Sequence, residues 1–329
     1  MIESAPHRLS VAPMMDRTDR HCRYLHRLIT RRSLLYTEMV TAKALIHGDA
    51  ARLLRFDSFE HPVALQLGGA DAGELAQAAK LGERAGYDEI NLNVGCPSDR
   101  VQSGAFGAAL MARPEHVAHC VAAMAAQVRI PVTVKCRIGI DDQNPQDTLP
   151  GFVEMVAAAP CRTFIIHARK AWLKGLSPKD NRTVPPLDYA LVHAIKRARP
   201  DLAIVLNGGL RDVPDALAQS RGLDGAMIGR AAYQNPWLLR DADRLAFGDK
   251  APPPERAEVL DTLIGYAERE VAAGVPLHAI TRHATGLFAG LPGARQWRRI
   301  LSEDAPKPGA KADVIVRAAT AVLGRAWAA

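Results

Sequence analysis

Eight short runs rich in aliphatic and β-branched residues, each ending in small or polar residues, recur along the first three quarters of the chain. They are RLSVAPM (8–14), LLYTEMV (34–40), PVALQLGG (62–69), EINLNVGC (89–96), PVTVKCRIG (131–139), TFIIHAR (163–169), AIVLNGGL (203–210) and GAMIGRAA (225–232). Between most of them lie segments with apolar residues at helical spacing, such as DAGELAQAAKLGERAG (71–86) and RPEHVAHCVAAMAAQV (113–128), the second opening with Pro114 near its first turn. Strand and helix alternating eight times predict a (β/α)8 TIM barrel, an α/β fold. An open doubly wound sheet is the competing arrangement, and the count of eight strands decides against it.

A barrel gathers residues at the C-terminal ends of its strands onto one face. Met14, Glu38, Gln66, Asn93, Cys96, Lys135, His167, Asn207 and Arg230 all occupy such positions. Beyond Pro252–Pro254 the pattern changes to four helical segments, 254–274, 277–290, 293–302 and 312–324. The expected division is a catalytic barrel over 1–245 followed by a small all-helical domain over 246–329. The net charge of +7 is a weak signal alone, but 277–301 contains four Arg, two His and no acid, which makes one face of the tail basic.

Several function classes are disfavoured. Cys22, Cys96, Cys120, Cys136 and Cys161 are odd in number, dispersed and never spaced C-x-x-C, so neither a disulfide framework nor a zinc site is expected. No apolar run approaches the roughly 20 residues that span a bilayer, and the N-terminus lacks the charge and apolar pattern of a secretory signal. A cytoplasmic protein with no membrane and no metal is expected.

On the expected active face, Gly208 and Gly209 follow the seventh strand, and Gly229 with Arg230 follows the eighth. Barrels bind phosphate at these two loops, where main-chain N–H groups can approach an anion. Lys135 lies within a buried strand, so it needs a partner or a lowered pKa. Schiff-base chemistry is one use for it, and stabilising an anionic reduced flavin is another. His167 suits a cofactor contact or a core histidine satisfied by backbone, and Gln66 offers a donor and an acceptor to a heteroaromatic edge. Together these groups fit a flat, phosphate-bearing ring system such as FMN. No G-x-G-x-x-G follows any expected strand, so a nicotinamide donor would visit only transiently. Cys96, in isolation a small buried hydrophobe, here precedes Pro97 and a polar loop at the active face. Thiols are mostly protonated at neutral pH and can act as general acids.

The motifs APMMDRTD, TEMVTAKAL, LQLGG, INLNVGCPSDRVQSGAFGAALM, PVTVKCRIGID, FIIHARKAWLKGLSPKDNR, LNGGL and MIGRAAYQNPWLL together resemble the tRNA-dihydrouridine synthases of the A class. The resemblance runs from about residue 9 to 240 in matching order and spacing, and the basic helical tail fits it. It implies bound FMN, NADPH as transient hydride donor, and reduction of D-loop uridines 20 and 20a of tRNA to dihydrouridine by a monomer. It implies that Pro13, Met14, Met15 and Gln66 contact the flavin ring, and that Lys135 and His167 are further flavin contacts. Asn207, Gly208, Gly209, Gly229 and Arg230 match the phosphate positions. Cys96 matches the catalytic proton donor, Asn93 a tRNA contact beside it, and Lys179, Arg182, Arg295 and Arg298 the positions that orient tRNA. In uracil the C5=C6 bond is conjugated to the C4 carbonyl, so hydride adds at C6 and the resulting enolate takes a proton at C5. The uridine must leave its stack to react, and the loop through Gly104 is expected to order when tRNA binds.

Three alternatives remain at this point. An FMN-dependent reductase of a free pyrimidine or other small enone would need the barrel but not the tail. A Lys135 Schiff-base lyase would use the amine covalently, and an RNA-binding protein would need no flavin at all.

Overall fold

The structure is a computed structural model that describes residues 6–98, 104 and 106–324. The expected loop from Pro97 to Gly104 therefore falls mostly outside the described residues.

All eight expected runs are strands: β1 (Leu9–Val11), β2 (Leu35–Thr41), β3 (Val63–Gly68), β4 (Glu89–Val94), β5 (Val132–Arg137), β6 (Thr163–His167), β7 (Ala203–Asn207) and β8 (Gly225–Ile228). They pair in parallel in the order β1-β8-β7-β6-β5-β4-β3-β2. Where β1 meets β2, Val11 N donates to Leu34 O (3.0 Å) and Leu34 N to Leu9 O (3.1 Å), which closes the ring. Strands covered on both faces must be apolar nearly throughout. That is why Phe164–Ile166 and Ile204–Leu206 are wholly apolar, with the polar His167 and Asn207 coming only at the strand ends.

Intervening helices start and stop on local chemistry. Asp71 caps Ala72–Ala85 by accepting from Glu74 N (2.8 Å), and Gly86, at φ 99°, ends it in the left-handed region that favours glycine. Pro114 opens Pro114–Ala125, and Asn144 with Pro145 opens Pro145–Ala157.

The barrel interior is divided. Ala12, Leu34, Tyr36, Ala64, Ile165, Val205 and Met227 form an apolar cluster. On β4 and β5, by contrast, Glu89, Asn91 and Thr133 are buried polar residues. Beneath them the turn Pro6–Arg8 closes the N-terminal end so tightly that a Cβ on Gly225 would lie 1.9 Å from His7 O.

The tail contributes helices Arg256–Ala272, Leu277–Thr281, Ala294–Asp304 and Asp313–Leu323. One continuous apolar cluster runs from Leu9 of β1 to Ala319 of the last helix. The helix Ala242–Phe247 spans the expected boundary between residues 245 and 246. The expected helix over 277–290 is instead one short helix followed by turns. Close packing explains this difference: a Cβ on Gly286 would meet Gln234 O at 2.1 Å, and Gly290 and Gly293 have φ of 84° and 81°.

Candidate active site

The C-terminal ends of β3 to β7 carry Gln66, Asn93, Lys135, His167 and Asn207 on successive strands. Asn93 is in register with Lys135, and His167 with Asn207. Asn93 Nδ2 donates to Gln66 Oε1 (2.8 Å), and Lys135 Nζ to Asn207 Oδ1 (2.9 Å). Asn207 Nδ2 in turn donates to Met227 O (2.7 Å), fixing its oxygen toward the ammonium. Burial and the neighbouring Arg137 charge push Lys135 down to about 8.

Cys96 sits just past β4. Its N–H donates to Asn93 Oδ1 (2.9 Å), as does that of Gly95 (3.1 Å), while Cys96 O accepts from Ala108 N (2.9 Å). The main chain is thus held on both sides, and Sγ faces Ser98 Oγ at 3.4 Å. Of the five cysteines only Cys96 is partly exposed. Burial pushes the Cys136 and Cys161 thiols up to about 12 and Cys120 to about 11, which leaves them inert.

His167 stands over Gly208, where an added Cβ would lie 3.1 Å from Cε1; Gly208 also has φ of 107°. Only glycine suits both demands. Burial, then the charges of Arg137, Lys135, Arg169 and Arg230, hold the imidazole well below its usual pKa and therefore neutral. Gly209 (φ 75°) is packed by Leu187 and Tyr189, whose hydroxyl donates to Gly208 O (2.6 Å). Gly229 begins the helix Arg230–Gln234 without a side-chain cap, and its Cβ position meets only Ala12, at 3.7 Å.

Pro13, Met14 and Met15 follow β1. Met14 is buried, its N–H donating to Thr18 Oγ1 (2.9 Å), and Met15 is half exposed. Glu38 Oε1 accepts from Arg17 N (3.2 Å) beside them. Arg230 Nη2 donates to Arg182 O (3.0 Å), which brings the loop after β8 against the loop carrying Lys179 and Arg182. Lys179 and Arg182 are exposed. Arg295 and Arg298 lie on a different element, exposed on helix Ala294–Asp304.

Two features of the site were absent from the sequence reading. Arg137 is buried and, among the described residues, donates to three main-chain oxygens: Gly95 O (3.2 Å), Lys170 O (3.0 Å) and Asn181 O (2.8 Å). It ties the base of the Cys96 loop to the loop bearing Lys179 and Arg182. Arg169 donates to Pro185 O while its buried Nε has no partner among the described residues. Position was the available signal, since Arg137 and Arg169 stand two residues past Lys135 and His167.

The donor set fits FMN. Among the described residues, His167 Nδ1 and Arg169 Nε are buried polar atoms without partners, a costly condition unless something else supplies the hydrogen bonds. Lys135, Arg137, Arg169 and Arg230 make the mouth cationic, as a phosphate and an anionic reduced ring require. Among the described residues no cluster of three or more His, Cys, Asp or Glu is placed to hold a metal, and no helix is long and apolar enough to cross a membrane.

Residues 10–322 match the family model for dihydrouridine synthase. The chain is 56% identical to the tRNA-dihydrouridine(20/20a) synthase of Vibrio cholerae over 312 residues, covering 94% of this chain and 95% of that one. It is also 56% identical to the enzyme of the same name from Escherichia coli K12, covering 94% and 90%, and 55% identical to that of Yersinia pestis. The chain therefore belongs to the dihydrouridine synthase family, whose members reduce uridine in tRNA to dihydrouridine.

Proposed function

We propose that this protein is a cytoplasmic, monomeric tRNA-dihydrouridine(20/20a) synthase that binds FMN in the barrel mouth and uses NADPH. The observation that carries the reading is the partly exposed Cys96, pinned by Asn93 within a ring of polar strand ends. When bound, the flavin supplies the hydride to uracil C6. Gln66 and the Pro13–Met15 loop would hold the ring, Lys135 would offset the negative charge that reduction brings to it, and His167 would supply a neutral donor and acceptor. Asn207, Gly208, Gly209, Gly229 and Arg230 hold the phosphate. Cys96 Sγ gives its proton to C5 of the enolate, which completes the reduction. Asn93 places that thiol and meets the target base.

Residues 246–329 act as a tRNA-binding domain. Lys179 and Arg182 from the barrel, with Arg295 and Arg298 from the tail, neutralise backbone phosphates and present the D-loop to the mouth. Affinity for tRNA is therefore salt-dependent and weakly sequence-dependent. The test is mass-spectrometric mapping of dihydrouridine in tRNA from cells lacking the protein. Loss at positions 20 and 20a is expected, and unchanged modification there would refute the assignment.

A further inference from the structure

Inside the barrel, a directed chain of hydrogen bonds runs from the N-terminal floor to the Cys96 loop. Glu89 Oε2 lies 2.8 Å from His7 Nε2, and Glu89 Oε1 accepts from the hydroxyls of Tyr36 (2.8 Å) and Thr133 (2.6 Å). Thr133 Oγ1 accepts from Asn91 Nδ2 (2.8 Å), and Asn91 Oδ1 accepts from Gln66 Nε2 (2.8 Å). Gln66 Oε1 then accepts from Asn93 Nδ2, whose Oδ1 takes the N–H groups of Gly95 and Cys96. Every donor in this sequence points toward Glu89.

The direction is imposed from both ends. An ionised carboxylate only accepts, so Thr133 must donate to it and keep its lone pairs for Asn91. Main-chain N–H groups only donate, so Asn93 must turn its oxygen to them. Reversing any amide between these ends sets donor against donor and acceptor against acceptor among buried side chains. Burial alone would lower the His7 pKa, but the charge and hydrogen bond of Glu89, 2.8 Å from His7 Nε2, raise it. One amide hydrogen of Gln66 and one of Asn93 remain outside the chain, so both side chains offer N–H donors suited to carbonyl oxygens of a flavin or a uracil.

We propose that Glu89 and Thr133 are positioning residues: acting through Asn91 they lock the Gln66 amide from the barrel floor, while the main-chain N–H groups of Gly95 and Cys96 set Asn93, and the two ends together fix the hydrogen-bonding edges of the active site. This rests on the flavin reading above. Thr133→Val keeps the shape and β-branching of the side chain and removes the hydroxyl. Tyr36→Phe removes a buried hydrogen bond to the same carboxylate oxygen but lies outside the chain.

FMN affinity, by fluorescence titration, and the visible spectrum of the bound flavin report the orientation of the edge. Thr133→Val should weaken FMN binding at least about tenfold and shift the spectrum, while Thr133→Ser and Tyr36→Phe stay close to wild type. Wild-type affinity and spectrum in Thr133→Val would overturn the proposal, as would an equal loss in Tyr36→Phe. Neutron diffraction of the wild-type holoenzyme decides the matter even if Thr133→Val does not fold. Asn91 and Gln66 amide deuterons directed toward Glu89 support the proposal, and a reversed amide at either residue overturns it. Wild-type protein that binds no FMN would overturn the flavin reading and this inference with it.

Discussion

Lys135 places a partly buried ammonium near the end of a barrel strand, with Asn207 Oδ1 as hydrogen-bond acceptor. With its pKa lowered from 10.5 to about 8, the unfolded chain binds more protons than the folded one between those values. Below pH 8 the penalty is fully present, and it is relieved as pH rises toward 10.5. The unfolding free energy of flavin-free wild type, relative to Lys135→Met, should therefore rise across that window by up to about 3 kcal/mol. Denaturant titrations of both proteins at several pH values check this, and a flat difference would mean that Lys135 is solvated or paired. The chemistry-bearing residues at strand ends were legible in the sequence because alternation and the strand-to-loop transition mark them. Arg137, Asn91 and Glu89 were not, because a charged or amide residue inside a barrel is identified only by its partners, and those partners are residues on other strands.

At the scale of elements, helix Ala294–Asp304 separates two roles by face. Trp297 is fully buried, its Nε1 donating to Ala284 O (3.0 Å) and its ring set edge-on to Phe288 at 4.9 Å. Trp297→Ala should cost about 3–5 kcal/mol of stability, read by urea unfolding. Arg295 and Arg298 lie on the exposed face, so changing both to alanine should shift stability by under about 0.5 kcal/mol. The same change should weaken tRNA binding and flatten its salt dependence by up to about two phosphate contacts, measured by filter binding across salt. The apolar spacing of Trp297 and Leu301 made this helix legible. The stretch 277–290 carries the same spacing yet leaves the helix after Thr281, because Gly286 must approach Gln234 and Pro236 of the barrel. That requirement is tertiary and has no local signature. The eight strands were legible because a parallel barrel buries both strand faces and so concentrates aliphatic residues. Ring closure through Leu34 and the division of the interior into apolar and polar sectors depend on pairings between distant segments.

Across the whole molecule, barrel and tail meet at the helix Arg20–Ile29. Its cap, Asp19, accepts from Arg282 Nη2 (2.6 Å) and lies 3.0 Å from His283 Nε2, while Tyr24 stacks on Tyr266 and Arg20 pairs with Glu270. Burial alone would raise the Asp19 carboxyl, but the hydrogen bond and charge of His283, with Cys22 N–H and Arg282, hold it well below the usual carboxylate range. Its stabilisation is present above about pH 4 and is lost as the pH falls further. Asp19→Asn keeps a competent helix cap, so it should cost about 2 kcal/mol at neutral pH and show a shallower loss of stability below pH 4, read by circular dichroism melts. This docking fixes the helices of the tail relative to the barrel. In the reaction assigned to the barrel mouth, Cys96 donates the proton to a uridine reduced there. Its most direct test is single-turnover reduction of tRNA by holoenzyme carrying Cys96→Ala, with flavin reduction by NADPH and dihydrouridine by mass spectrometry followed in the same sample. Flavin reduction at the wild-type rate, with dihydrouridine formation down at least about 100-fold, is the predicted result. Dihydrouridine formed at the wild-type rate would contradict it.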